Sequence, residues 1–313
     1  MPKVHFLNTG KGSCTIIEHV SRRISMIDIC GGNQTLSMAM AHTNPIEYLQ
    51  ALGVKEIFRF ILTHPHMDHL DGFDNLINNV RVLNFWDAGV RPDKPDFDGN
   101  YYDEADWDRY IKVRDGNQKG VTVVNAREGS KFKYANKNED GSFGADGLHI
   151  VAPNKELVGE ANWLQDFNDA SYIISYRSAN GTIIIPGDAH DEAWECAIES
   201  HRGTIEDCLF LLAPHHGRRS DASFEFLNVI RPVLSLLGNA PSKDLAYDAW
   251  SNRRLPYITQ HQSGNVVLEV DESGVNVFVE NDKLVEHVHG NHFGTNDQGY
   301  SLLFTLQQPA AVA

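Results

Sequence analysis

The stretch Thr63-His64-Pro65-His66-Met67-Asp68-His69 follows directly on the apolar run Ile57-Phe58-Arg59-Phe60-Ile61-Leu62, so a strand delivers a cluster of imidazole and carboxylate groups. In an extended chain side chains two apart point the same way. His64 and His66 can therefore face one ion while Asp68 and His69 reach past them toward a second. Neutral imidazole combined with carboxylate suits zinc, manganese or iron. Two more apolar runs end alike. Thr182-Ile183-Ile184-Ile185-Pro186-Gly187-Asp188 finishes on a carboxylate, and Cys208-Leu209-Phe210-Leu211-Leu212-Ala213-Pro214-His215-His216-Gly217 on a histidine pair. Both are continuous apolar runs of strand length bounded by Gly and Pro, the pattern of buried strands. Strands that carry such residues at their C-terminal ends can converge on one edge of a sheet.

The order His-x-His-x-Asp-His, then Asp, then His resembles the metallo-β-lactamase superfamily. Further segments narrow the resemblance to the soluble hydrolase domain of the competence DNA-uptake channel (ComEC-like). These are Val4 to Cys14 followed by Ile24 to Gly32, then Pro214-His215-His216-Gly217 with Ser220, then Leu234 to Asn239. Tyr257-Ile258-Thr259 and Gly264 to Leu268 resemble that group's closing hairpin, and the likeness spans about residues 1 to 280. One departure is plain: Pro241-Ser242-Lys243-Asp244 stands where these domains carry Gly-His-Pro.

The resemblance implies an α/β (α+β, four-layer) fold, an αββα sandwich with the metal site at one edge of its sheets. It implies two divalent ions, zinc first and manganese as the alternative. His64 and His66 are assigned to one ion, Asp68 and His69 to the other, Asp188 to the bridge and His215 to the last ligand. His216 becomes a proton donor or phosphate contact, with exchange of roles between the adjacent pair left open. Asp68 can also orient the attacking water, which makes Asp68 and His216 the catalytic candidates. The superfamily's third histidine for the first ion has no counterpart here. Asn168-Asp169 stands in its place, so Asn168 or Asp169 is either a weak ligand or an Asn-Asp turn capping a strand.

The formal net charge of −15 restricts the partners. Proteins that grip long duplex DNA neutralise phosphates with a basic face, and no strong duplex binding is expected here. Bound cations would supply positive charge locally, with Arg218, Arg219 and Ser220 at the rim as substrate-binding candidates. A small anionic or short nucleic-acid substrate fits that picture. No apolar stretch reaches membrane-spanning length. The first strand begins too near Met1 for a secretory signal, so a cytoplasmic location is expected, with a homodimer or an accessory protein as possible partners. The four cysteines lack metal-type or disulfide-framework spacing, and Cys14, Cys30 and Cys208 read as small buried residues.

Helices are expected at Pro45 to Leu52 and Gly72 to Asn79. Residues 91–120, rich in aspartate and aromatics, read as an insertion over the site, with a short helix at Tyr102 to Arg114. Its aromatics either stack a base or pack among themselves in a surface subdomain. Asn136 to Gly147 reads as a flexible loop. Ser171 to Tyr176 and Thr182 to Ile185 form a hairpin about Asn180-Gly181. Residues 281–313 are a C-terminal extension with His287, His289 and His292, an edge strand at Tyr300 to Leu306, and a disordered tail from Pro309.

The expected activity is hydrolysis by a metal-activated hydroxide. A phosphodiesterase acting on nucleotides, cyclic nucleotides or short nucleic acids leads. A carbon-centred hydrolase of the lactonase, β-lactamase or thioesterase type is the alternative, and a metal-containing component of a larger complex the third.

Overall fold

The computed structural model describes residues 1–33, 42–138, 145–291 and 293–307. His292 and the tail from Pro309 lie outside the described residues, as does the middle of the polar segment 136–147. The described ends of that segment are pinned: the Asn136 amide donates to the Ser130 carbonyl at 2.9 Å, and Asp146 is buried between two arginines.

Among the described residues fifteen strands are arranged in two sheets. The first six are β1 (Lys3–Phe6), β2 (Thr15–Glu18), β3 (Ile24–Ile27), β4 (Glu56–Ile61), β5 (Arg81–Trp86) and β6 (Thr122–Val124). The next six are β7 (Leu148–Ala152), β8 (Ile173–Ser178), β9 (Gly181–Ile185), β10 (Cys208–Leu212), β11 (Leu234–Leu237) and β12 (Tyr257–Thr259). The last three are β13 (Val266–Asp271), β14 (Gly274–Val279) and β15 (Ser301–Leu306). A nine-stranded sheet runs β15-β14-β13-β1-β2-β3-β4-β5-β6, and a six-stranded sheet runs β12-β11-β10-β9-β8-β7.

Alternation along the strands dictates the layering. In β2, Ile17 joins the core between the sheets while Ile16 faces outward, and in β9 Ile183 and Ile185 point inward while Ile184 points out. Each outer face is then covered by helices. α1 (Pro45–Ala51), α2 (Phe73–Asn79) and α3 (Glu104–Arg114) place Leu49, Phe73, Leu76, Trp107 and Tyr110 on the nine-stranded sheet. α5 (Asp191–Ile205) covers the other sheet, where Ala193, Trp194 and Ala197 pack with Ile184 and Leu211, while α4 (Lys155–Leu164) sends Val158 and Ala161 into the core between the sheets. Helix, sheet, sheet, helix is the expected four-layer sandwich. At about 25 cal/mol per Å² of apolar surface buried, the layering itself is the main source of stability.

The helix expected within residues 91–120 is α3, and its apolar face lies on the sheet with Trp107, Tyr110 and Val113 buried. The Asp106 carboxylate accepts from the Gly72 and Asp74 amides at 2.9 and 2.8 Å, tying α3 to the start of α2. The hairpin is present as β8–β9, closed at Ser178↔Gly181. The expected closing hairpin is not: β12 pairs in parallel with β11, whereas β13 pairs with β1 and β14 in the other sheet. A short helix, Gln260–Ser263, started by a Thr259–Gln262 capping box, carries the chain from one sheet to the other. β15 forms the edge of the larger sheet, paired with β14. Among the described residues no helix is long and apolar enough to cross a membrane.

Candidate metal centre

Three strand ends meet at one edge of the sandwich. Beyond β4 the chain bends at Thr63 and His64, is extended at His66, then tightens into a 3-10 turn over Met67–His69. The turn folds His69 back over His64, with ring centroids 4.2 Å apart, while His66 meets His64 edge-on at 4.4 Å. Beyond β9, Gly187 takes a left-handed φ of +54°, and a Cβ there would lie 2.7 Å from the Thr63 Cβ. Only glycine lets the Asp188 loop rest on the β4 end. Beyond β10, His215 and His216 both adopt left-handed backbone, with φ of 50° and 57°. That region is costly for residues with a Cβ and concentrates where function demands it. The turn gives the two imidazoles different partners.

Asp68, His69, Asp188 and His216 form a cluster whose ligand-type atoms all lie within 4.8 Å of one another. His69 Nε2 is 3.2 Å from Asp188 Oδ1 and 3.9 Å from Asp68 Oδ1. His216 Nε2 is 3.2 Å from Asp68 Oδ2 and 3.5 Å from Asp188 Oδ2. Ligand atoms about 2.0–2.2 Å from one tetrahedral ion sit roughly 3.3–3.6 Å apart, so this spacing suits a shared cation. Asp188 also faces the other side: its Oδ2 is 3.9 Å from His64 Nε2 and 3.7 Å from His215 Nε2. His64 Nε2 and His66 Nδ1 lie 2.9 Å apart.

One buried atom decides the fit to a metal. His69 Nδ1 donates to Asp28 Oδ2 at 2.7 Å, so in the neutral ring Nε2 carries the lone pair. That Nε2 is buried without a hydrogen-bond partner and faces the Asp188 carboxylate. A lone pair aimed at a carboxylate in a buried site is repulsive unless a proton or a metal cation lies between them. Asp28 is in turn held by Thr63, whose amide donates to Oδ1 and whose hydroxyl donates to Oδ2, both at 2.7 Å. A carboxylate behind a histidine is the usual orienting partner of a metal-ligating imidazole.

The field of the cluster keeps His64, His66, His215 and both carboxylates in ligating form and favours positive charge at His69. Burial, reinforced by neighbouring imidazoles, holds His64 well below the usual histidine range, lowers His66, and brings His215 to about 4. Burial works against ionisation of Asp68 and Asp188, yet the surrounding histidines outweigh it and hold both carboxyls low. For His69 burial favours the neutral ring, while Asp188, Asp28 and Asp68 pull its affinity for a proton well above normal. A divalent cation would satisfy the same attraction.

The remaining candidates fall into different surroundings. The expectation placed His215 as the last ligand, but the four-residue cluster contains His216, while His215 Nδ1 lies 2.9 Å from His190 Nε2. Asp169 accepts from the Ala193 amide at 3.0 Å near the start of α5, a structural role, whereas Asn168 Oδ1 is buried without a partner. Arg218 is exposed, and its charge bears on His215. Arg219 is turned away into an ion pair with Asp248 at 2.7 Å. Ser220 Oγ accepts from the Ala222 amide at 3.2 Å. Asp28 and Thr63 hold His69 from behind and carry no signal in a reading confined to the histidine motif, whereas His190, a sequence candidate for completing the first ion's shell, lies beside His215.

No family model matches the chain, and no curated protein matches it. Solved structures do. A mutant of CmlA β-hydroxylase is 10% identical with a TM-score of 0.50, over 86% of this chain and 54% of that one. The present chain thus spans about half of the hydroxylase's length. A diphosphatase of the PhnP family is 13% identical with a TM-score of 0.44, over 85% and 97% of the two chains. Metallo-β-lactamase SMB-1, bound to 2-mercaptoethanesulfonate, is 14% identical with a TM-score of 0.38, over 68% and 78%. At such identities the likeness speaks to the fold alone, a four-layer αββα sandwich.

Proposed function

We propose that the chain is a metal-dependent hydrolase whose substrate is a phosphodiester: a nucleotide, cyclic nucleotide or short nucleic acid. The observation behind the metal is the orphaned Nε2 of His69, set between Asp188 and Asp68 with its other nitrogen locked by Asp28. Asp68, His69, Asp188 and His216 would hold one ion, and His64, His66 and His215, with Asp188 shared, a second. The metal would act as a Lewis acid on the scissile group and ease loss of a proton from water. Zinc is the first expectation and manganese the second, on the donor set.

The chain's own residues do the rest. Thr63 and Asp28 fix the His69 tautomer. His216 Nε2 and Asp68 Oδ2, 3.2 Å apart, would both face the ion, and the partly exposed Asp68 carboxylate can also orient the attacking water. Exposed Arg218 offers guanidinium donors to non-bridging phosphate oxygens.

The ComEC-like motifs and this cation support the phosphodiester. The charge of −15 and the diversion of Arg219 to Asp248 favour a carbon-centred ester or lactone as the second reading. Assays of released phosphate monoester on a diester panel, beside ring opening of lactones, separate the two. Turnover of diesters that is abolished by chelator and restored by Zn²⁺ or Mn²⁺ is expected, and activity undiminished in chelator overturns the metal reading.

A further inference from the structure

The loop between β1 and β2 is built onto the backbone of Asp68. A Cβ on Gly12 would lie 1.8 Å from the Asp68 carbonyl oxygen, and the Ser13 amide donates to that oxygen at 3.2 Å. Asn239, just beyond β11, pins the loop from the opposite sheet. It bridges Gly12, and its amide donates to the Leu7 carbonyl, the Thr9 hydroxyl and the Gly12 carbonyl, each at 3.4 Å. The Thr9 hydroxyl also donates to the Lys11 carbonyl at 2.6 Å. Lys11 is exposed, so a flexible cation is carried on fixed backbone beside the cluster.

Its ammonium does not float free in solvent. It sits 3.7 Å from the ring centroid of Tyr101, on the segment that leads into α3. The Tyr101 ring is 59% exposed and meets Tyr102 edge-on at 5.4 Å. Burial raises the Tyr102 hydroxyl's pKa and the Asp68 charge raises it further, which places Tyr102, the ring Tyr101 packs against, within the electrostatic reach of the cluster. A solvent-facing ring bearing a cation, next to a buried set of ligand-type residues, offers an anion contact and a stacking face side by side. Arg218 lies close enough to His215 for its charge to act on that ring, so the acidic protein also carries a cation near the cluster there.

We propose that Lys11 and Tyr101 form a subsite for a nucleotide-like phosphoester, the ammonium taking a non-bridging phosphate oxygen and the tyrosine ring stacking the attached base. This rests on the phosphodiester reading above and adds the residues that select the substrate. Both act on binding, so loss of either raises KM more than it lowers kcat.

The test is a fluorescence titration of the protein as purified with adenosine monophosphate and with inorganic phosphate, alongside steady-state cleavage of a dinucleotide. Lys11→Ala is expected to weaken both ligands by about ten-fold, with Lys11→Arg recovering most of it. Tyr101→Ala is expected to weaken the nucleotide by about ten-fold and phosphate by less than about two-fold, since only the base stacks. Dinucleotide KM should rise in parallel. Equal weakening of nucleotide and phosphate in Tyr101→Ala, or unchanged affinities in Lys11→Ala, overturns the subsite while wild-type diester cleavage leaves the hydrolase reading standing. A wild-type protein that neither binds these probes nor cleaves diesters overturns both. Both side chains are exposed, and unchanged melting temperatures confirm that the variants fold.

Discussion

Replacing Asp28 with asparagine changes one oxygen for one NH₂ and should disable a histidine it never lets reach solvent. In the native protein Oδ1 accepts from the Thr63 amide, while Oδ2 accepts from both the Thr63 hydroxyl and His69 Nδ1, each at 2.7 Å. The Thr63 amide can only donate, so the asparagine carbonyl oxygen must take that position. Its NH₂ then faces His69 Nδ1 and donates to it. The imidazole proton moves to Nε2, the atom that faces Asp188 and Asp68, and the lone pair needed for a metal is gone. Loss of such an orienting partner weakens metal affinity or activity by about 10- to 100-fold, or roughly 1.4 to 2.7 kcal/mol. Competition against a chromophoric chelator measures the affinity, and long-range ¹⁵N–¹H correlation of the His69 ring reads the tautomer. An Asp28→Asn protein that binds metal within two-fold of wild type, with His69 still protonated on Nδ1, would refute the argument.

Gly12→Ala should cost at least about ten-fold in activity while leaving the thermal melt cooperative, because the new Cβ collides with the Asp68 carbonyl at a site where φ is +60° and positive φ is itself unfavourable for alanine; wild-type turnover would show that the loop does not position Asp68. Asp146→Ala should destabilise the fold by about 3–5 kcal/mol in denaturant titration, since it strips the partner from Arg59, whose side chain is 1% exposed. The same pair sets a pH dependence. Burial tends to raise the Asp146 carboxyl, but His19, Arg23, Ser21 and Arg59 outweigh it and hold it below its usual value. A carboxyl depressed in the folded state binds protons more readily when unfolded, so its stabilisation is full above about pH 4 and is lost as pH falls through the folded value. The gap between wild type and Asp146→Ala should therefore be constant from pH 5 to 8 and narrow in stronger acid; a gap that widens in acid contradicts the assignment.

What could be read from the sequence was what is local in the chain. Apolar runs ending in His, Asp and His-His are short-range patterns, and they located the strand ends and the layered fold. Asp28 was invisible as a functional residue because its role depends on β3 lying parallel beside β4, with Ile27 opposite Ile61; nothing within either strand states that pairing. The contrast between His215 and His216 rests on a turn in which both adopt left-handed backbone, which spacing cannot resolve for adjacent residues. In α3 the charges of Glu104, Asp106, Asp108 and Arg109 obscured an apolar face that packs Tyr110 near Phe85, at a centroid distance of 6.2 Å. The false closing hairpin carried its own warning, since Thr259-x-x-Gln262 is a helix-start signal between the two apolar runs.

The central claim is that a cation belongs between His69 Nε2, Asp188, Asp68 and His216. Anomalous diffraction at the zinc and manganese absorption edges, on crystals of the protein as purified and on His69→Ala crystals, locates it directly. An anomalous peak within bonding distance of those four side chains, present in the wild type and lost or displaced in the variant, is the expected result. Wild-type crystals grown with excess Zn²⁺ and Mn²⁺ that show no peak there at either edge would contradict it.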